Sequence, residues 1–190
     1  AAASTFAISS NTTLYAVWTA NSLTVTYDSQ GGSAISDGST TTGASIASSP
    51  GTPTRAGYTF NGWFAASSGG SAISFAYAHG QTANFTLYAQ WTAITYSVTY
   101  NGNTNGSGSV PTDATAYSSG ATVTVAGNTG SLAKTGYTFG GWCTTQPAAG
   151  AACSGTSQAA ASTFAISSNT TLYAVWTANS LTVTYDSQGG

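Results

Sequence analysis

The chain has 190 residues, and only 3% are charged: Asp28, Asp37, Asp113 and Asp186 against Arg55 and Lys134, with no Glu and a net charge of −2. About a quarter of the residues in an ordinary soluble domain are charged; a chain this bare of Lys and Arg excludes a basic nucleic-acid-binding face. No apolar run approaches the ~20 residues of a membrane-spanning helix, and polarity comes from Ser, Thr, Asn, Gln and Gly, a neutral surface that repels itself weakly and leaves self-association open.

Residues 1–32 return letter for letter as 159–190, an offset of 158. Period analysis therefore comes before any assignment of elements. TVTY at 24–27 recurs at 182–185 and as SVTY at 97–100; TLYA followed by Trp recurs at 13–18, 86–91 and 171–176; GYTFNGW at 57–63 returns as GYTFGGW at 136–142. The spacing from Tyr27 to Tyr100 is 73 residues and from Tyr100 to Tyr185 is 85. Two related modules of unequal length alternate. The chain divides into the end of a preceding long module (1–21), a short module (22–94), a long module (95–179) and the first strand of the next short module (180–190). With no Met and no signal peptide, the chain reads as an internal piece of a longer tandem array.

In chain order, LTVTYDSQGG alternates: Leu23, Val25 and Tyr27 point one way, Thr24 and Thr26 the other. DSQGG follows as a turn. A strand is expected near GASI (43–46), with ATVTV (121–125) as its counterpart. Tyr58 and Phe60 share a face of the GYTF strand, and Gly62 before Trp63 permits a bulge. Any helix is short, at about 75–79 (FAYAH). In TLYAQW, Leu87, Ala89 and Trp91 share a face. Modules of this size bury only about 60–65% of their unfolded surface. Aromatics are expected to build the core: Tyr58, Phe60, Trp63, Tyr88 and Trp91 in one module, and Tyr137, Phe139, Trp142, Tyr173 and Trp176 in the other.

The order TVTYDSQGG, then Pro53-Thr54-Arg55 and GYTFNGW, then TLYAQW resembles the internalin B-repeat, or Listeria–Bacteroides repeat, family. The resemblance covers both modules. It implies tandem β-grasp-like modules, mainly β with a mixed sheet and a short helix, in secreted or cell-wall-attached bacterial proteins. Departures are visible: FAYAHGQ replaces a charged helical stretch, and SLAKTGYTF carries Lys134 where the first module has Arg55. The long module gains residues both between Tyr100 and Gly136 and between Gly136 and Leu172, insertions expected to decorate it or mediate contacts.

The chemistry-bearing residues are few. Cys143 and Cys153, ten apart around Pro147 and Gly150, are expected to form a disulfide, which the extracellular context favours; an intermolecular bridge is the alternative, and two Cys without further ligands make a poor zinc site. His79 is the only histidine and lacks a Ser-His-Asp order or a G-x-S-x-G elbow. The four Asp form no glycosidase pair, and DSQGG has too few oxygen ligands to specify calcium. Lys134, with Asp113 as helper, is a candidate isopeptide donor, weighed against a lysine that merely solvates an edge. Asn11, Asn84, Asn105 and Asn169 stand in N-x-S/T triplets.

The reading is a non-enzymatic structural segment of a long bacterial extracellular or cell-surface repeat protein, forming a stalk or self-associating fibre. No cofactor or metal is expected. Its partners are neighbouring copies of the same repeat, in series or laterally; the short connections Thr19–Asn21 and Thr92–Thr95 favour a rod. The alternative is an adhesin whose repeats bind host protein or host or matrix glycans.

Overall fold

The computed structural model describes residue 5 and residues 7–189. These contain fourteen strands and no helix. Contacts divide the chain into two compact units: one runs through Arg55 and takes up Phe60–Trp91, the other comprises Ala56–Thr59 and everything from Thr92 onward.

In the first unit the strands are β1 (Ser22–Asp28), β2 (Gly38–Thr41), β3 (Ser45–Ile46), β4 (Tyr58–Phe64), β5 (Tyr77–Ala78) and β6 (Phe85–Ala93). Sheet order is β2-β1-β6-β4. The opening and closing strands lie parallel at its centre, Val25 opposite Phe85 and Tyr27 opposite Leu87; β2 runs antiparallel to β1. In the second unit β7 (Thr95–Tyr96) pairs with β9 (Tyr117–Ser118), and β10 (Thr122–Thr124) with β13 (Thr163–Ala165). Its main sheet has the order β12-β11-β14-β8, from β8 (Val98–Asn101), β11 (Tyr137–Cys143), β12 (Ser157–Gln158) and β14 (Thr170–Ala178). Here too the opening strand β8 lies parallel to the closing strand β14, which is antiparallel to β11. A mainly-β repeat with a mixed sheet is thus what the chain builds.

The alternation of β1 is realised: Leu23, Val25 and Tyr27 are buried while their neighbours are exposed. The strands expected near 43–46 and 121–125 exist as β3 and β10. Residues 75–79 are not helical. Tyr77 and Ala78 form β5, antiparallel to β3, because Phe75, Tyr77 and His79 recur every second residue and all three turn inward, while Ala76 and Ala78 face out. A helix would scatter those rings around its axis.

Segment 180–186, expected to be a strand, is not one. Leu181, Val183 and Tyr185 are 93%, 71% and 91% exposed, whereas the same residues of β1, Leu23, Val25 and Tyr27, are 5%, 1% and 7% exposed. The text is identical; only β1 has a closing strand, β6, beside it among the described residues.

Candidate functional site

The candidate site is the conserved-in-plan aromatic chain of each unit and the turn it holds. In a regular strand, residues three apart face opposite sides. Phe60 and Trp63 nonetheless both reach the core, as do Phe139 and Trp142. Glycines at positive φ, Gly62 (120°) and Gly141 (109°), sit just before each Trp, and the pairing of β11 shifts register between Phe139 and Trp142. The sequence permits a bulge or tight bend at Gly62; the register shift is seen at the matching position of β11, and Gly62 shares the positive φ.

The result is one edge-on ring series built twice. Tyr27 meets Trp63 at 5.1 Å, Trp63 meets Phe60 at 5.7 Å and Phe60 meets Trp91 at 5.4 Å. In the second unit Tyr100, Trp142, Phe139 and Trp176 follow in the same order at 4.8, 5.1 and 5.9 Å. Each buried indole also satisfies its N–H, as burial demands: Trp63 Nε1 donates to the Gly51 carbonyl and Trp142 Nε1 to the Ala126 carbonyl.

The last ring of each series grips the turn after the opening strand. Trp91 Nε1 donates to the Ser29 carbonyl; Trp176 Nε1 donates to those of Gly102 and Asn103. The turn itself closes through an Asx bond, Gln30 N–H to Asp28 Oδ1 and Asn103 N–H to Asn101 Oδ1. A Cβ on Gly32 would lie 2.5 Å from Trp91 Cζ2, so that close approach needs glycine. The chain's two basic side chains serve the same turn: Arg55 donates to the Gln30 carbonyl, and Lys134 donates to the Thr104 carbonyl and hydroxyl. Lys134 is therefore held by Thr104, and Asp113 is held by Thr115 and Tyr117. The hydrogen bonds of Lys134 and of Asp113 thus go to different residues, and none joins the two.

Three of the expected core aromatics lie elsewhere. Tyr58 is 37% exposed. Tyr88 and Tyr173 are half-buried and alternate with Leu87 and Ala89, and with Leu172 and Ala174, so they lie on the other face of the sheet. The period of two that places Trp91 inside excludes Tyr88 from that side. Tyr27 and Tyr100 also belong to the core, and the recurring VTY, with Tyr on the Val face, signals them. Tyr100 also accepts the Ala126 N–H through its hydroxyl. Burial, partly offset by that bond and reinforced by the Asp113 charge, holds its phenol above the usual range.

Cys143 and Cys153 are joined, with Cα atoms 5.6 Å apart. The loop they close folds back on its own unit. Asn103, buried and at φ 48°, donates through Nδ2 to the carbonyls of Pro147 and Ala174, each at 2.9 Å, and accepts from Gln146 Nε2 at 3.1 Å. Nothing in the sequence near Asn103 announced this node; its partners are more than forty residues away. Replacing Asn103 with alanine leaves both carbonyls without that donor and puts a Cβ-only residue at positive φ. We expect a loss of about 2–4 kcal/mol, read as a lowered urea midpoint, whereas a loss below about 1 kcal/mol would show the node to be dispensable.

His79 is buried, stacked on Phe85 at 4.9 Å. Gln81 N–H donates to its Nδ1, so the ring hydrogen is on Nε2, 3.3 Å from Thr40 Oγ1. It is part of the packing. Asn84 and Asn169 accept, through Oδ1, the amides of Thr24 and Ser97 at the start of the parallel pairs. Among the described residues no cluster of three or more His, Cys, Asp or Glu could hold a metal, and no helix is long and apolar enough to cross a membrane.

Asp113 has one electrostatic consequence. Burial raises its pKa, but bonds from the Thr115 amide, the Tyr117 hydroxyl and the Thr115 hydroxyl outweigh this and hold it below the usual carboxylate range. A depressed folded pKa contributes stability that is complete above the ordinary Asp range and is lost as pH falls through the lowered value. Across that window the parent chain is expected to lose more stability than Asp113→Asn; parallel losses in urea midpoints measured against pH would contradict this.

A mixed sheet with parallel outer motifs, repeated with the same aromatic chain and the same clamped turn, defines a tandem β-repeat protein. The Listeria-Bacteroides repeat domain family matches residues 24–90 and 96–175, and the chain belongs to that family. The chain is 37% identical over 177 residues, 92% of its length and 25% of the relative's, to a protein of Evansella cellulosilytica named as a membrane protein. A Gly-rich membrane protein, so named, of the same organism is 34% identical over 149 residues, 74% of the chain and 16% of the relative. Internalin H of Listeria monocytogenes is 42% identical over 80 residues, 42% of the chain and 14% of that protein. The chain spans a quarter or less of these relatives. No solved structure gives a significant match. The family match is to the Listeria–Bacteroides repeat and not to an internalin B-repeat as such.

Proposed function

We propose that the chain is a non-enzymatic structural segment of a long bacterial surface repeat protein, built as a stalk or a self-associating fibre. The observation that carries this reading is the twofold construction of one scaffold: Tyr, Trp, Phe and Trp in series, ending on a turn that a basic side chain also holds. The residues best able to do chemistry, His79, Lys134 and the cysteine pair, are spent inside that scaffold. The membrane-protein names of two relatives and the Internalin H similarity support a place at the cell surface. The identical 158-residue offset and the 3% charge support neighbouring copies as partners, in series and side by side.

Electron microscopy of native, unfixed material from producing cells tests the reading. Continuous fibres that survive dilution and carry one axial repeat per 158-residue pair are the expected result. Separate flexible stalks that end in a distinct head and never bundle would remove the fibre and leave an adhesive arm.

A further inference from the structure

A groove of about 440 Å³ lies in the second unit where the parallel strands β8 and β14 begin. It is lined by Thr95–Ser97, Asp113–Ala116 and Asn169. None of the clamped-turn machinery takes part in it. A smaller hollow of about 240 Å³, walled by Val98, Tyr100, Val110 and Pro111, also has Asp113 in its lining. Asp113 is thus common to the lining of both depressions.

The groove's chemistry is specific in kind. Asp113 Oδ1 accepts the Thr115 N–H at 3.0 Å and Oδ2 accepts the Tyr117 O–H at 2.8 Å. The Thr115 hydroxyl bonds the carboxylate as well, so of the roughly four acceptor sites of the two oxygens three are used in orienting the group and about one is left. Asn169 gives Oδ1 to the Ser97 amide and hydroxyl, which leaves its Nδ2 hydrogens as donors. Tyr96 is half-buried, packed partly on the core and partly in the groove wall, so it presents a fixed apolar surface at little cost in side-chain entropy. Hydroxyls of Thr95, Ser97 and Thr115 complete the rim. A carboxylate with no basic residue among the lining disfavours an anionic ligand. A fixed acceptor, an amide donor and a ring face together match a neutral, hydroxyl-rich molecule whose C–H face can lie on the ring.

In the first unit, Leu23 and Thr24 precede β1's core in the positions of Tyr96 and Ser97, and Asn84 bonds Thr24 as Asn169 bonds Ser97. Leu23 is 5% exposed and buried in its sheet. The strand-capping Asn is thus common to both units, whereas the tyrosine and the Asp113 segment belong to the second.

We propose that this groove is a binding site for a neutral oligosaccharide, with Asp113 and Asn169 bonding its hydroxyls and Tyr96 carrying its apolar face. One such site recurs per long repeat, so weak sites add along an array. The proposal stands independently of the fibre reading, and each can fail without the other.

The test is titration of the 15N-labelled 190-residue chain with cellotriose, maltotriose, mannotriose and chitotriose in turn, and with trigalacturonic acid as the anionic counterpart. At least one neutral sugar is expected to shift the amides of Tyr96, Ser97, Thr115 and Asn169 with a dissociation constant of about 1 mM, and the acidic sugar to bind more weakly. Tyr96→Leu takes the residue the first unit uses, and Asp113→Asn removes charge at constant shape; each is expected to weaken binding by about tenfold or more. Folding of both variants is checked by the dispersion of the same spectra. No shift with any of the four neutral sugars overturns the proposal. So do shifts that map elsewhere, persist unchanged in the folded variants, or favour the acidic sugar.

Discussion

Replacing Trp142 with alanine is expected to remove about 3–5 kcal/mol from the second unit. The indole is fully buried, sits between Tyr100 and Phe139 at 4.8 and 5.1 Å and donates to the Ala126 carbonyl at 2.8 Å. Alanine would leave a cavity beside two rings and an acceptor without its donor. A unit of this size has about 0.05–0.15 kcal/mol of stability per residue, so a loss on that scale uses up most of it. Urea unfolding followed by far-UV circular dichroism reads the change. A shift equivalent to less than about 1 kcal/mol would mean that the ring series is not the keystone of the fold. Trp63, with its Gly51 acceptor, should behave alike in the first unit.

Opening the Cys143–Cys153 link, by reduction or by changing both residues to alanine, should cost about 2.5–3 kcal/mol on the chain-entropy account. Here the loop has a second function. It delivers the Pro147 carbonyl and the Gln146 amide to Asn103, and Gly150 N–H to the Trp176 carbonyl. Loosening it therefore reaches the turn under Trp176. Disulfide loss and Asn103→Ala share these contacts, so their combined effect should fall short of the sum. Additive losses would show that loop and node act separately. An unchanged urea midpoint on reduction would show that packing alone holds the loop.

Much of the plan was legible in the sequence. Strict alternation in LTVTYD and the shared face of Leu87, Ala89 and Trp91 place those residues inside because a pleated strand offers two faces and no intermediate. Gly62 before Trp63 permits a bulge or tight bend for the same reason: in an unbroken strand Phe60 and Trp63 would face opposite sides. A short helix at 75–79 does not form: five residues between turns carry too little period to separate helix from strand, and burial of Phe75, Tyr77 and His79 favours β5. Tyr88 and Tyr173 as core residues go against the alternation of their own strands, whereas Tyr58 shares the face of Phe60 and is exposed at the first position of β4. Asn103, the Trp176 grip on its turn and the Asp113 groove depend on residues brought together from distant segments, and no local pattern carries that information.

Repeated text separates the two kinds of cause within this one chain. DSQ closes the same Asx turn wherever it occurs: Gln30 N–H bonds Asp28 Oδ1 at φ 52°, and Gln188 N–H bonds Asp186 Oδ1 at φ 49°. That bond spans two residues and needs nothing else, so the sequence alone determines it. The strand before it is another matter. Residues 22–28 are β1, yet the same letters at 180–186 form no strand and are exposed. TLYAVW likewise is part of β14 at 171–176, with Leu172 and Trp176 buried, and lies open at 13–18, with Leu14 and Trp18 at 73% and 90% exposure. A strand's hydrogen bonds and its buried face both come from other strands, so its formation is decided by whether the rest of the repeat stands beside it.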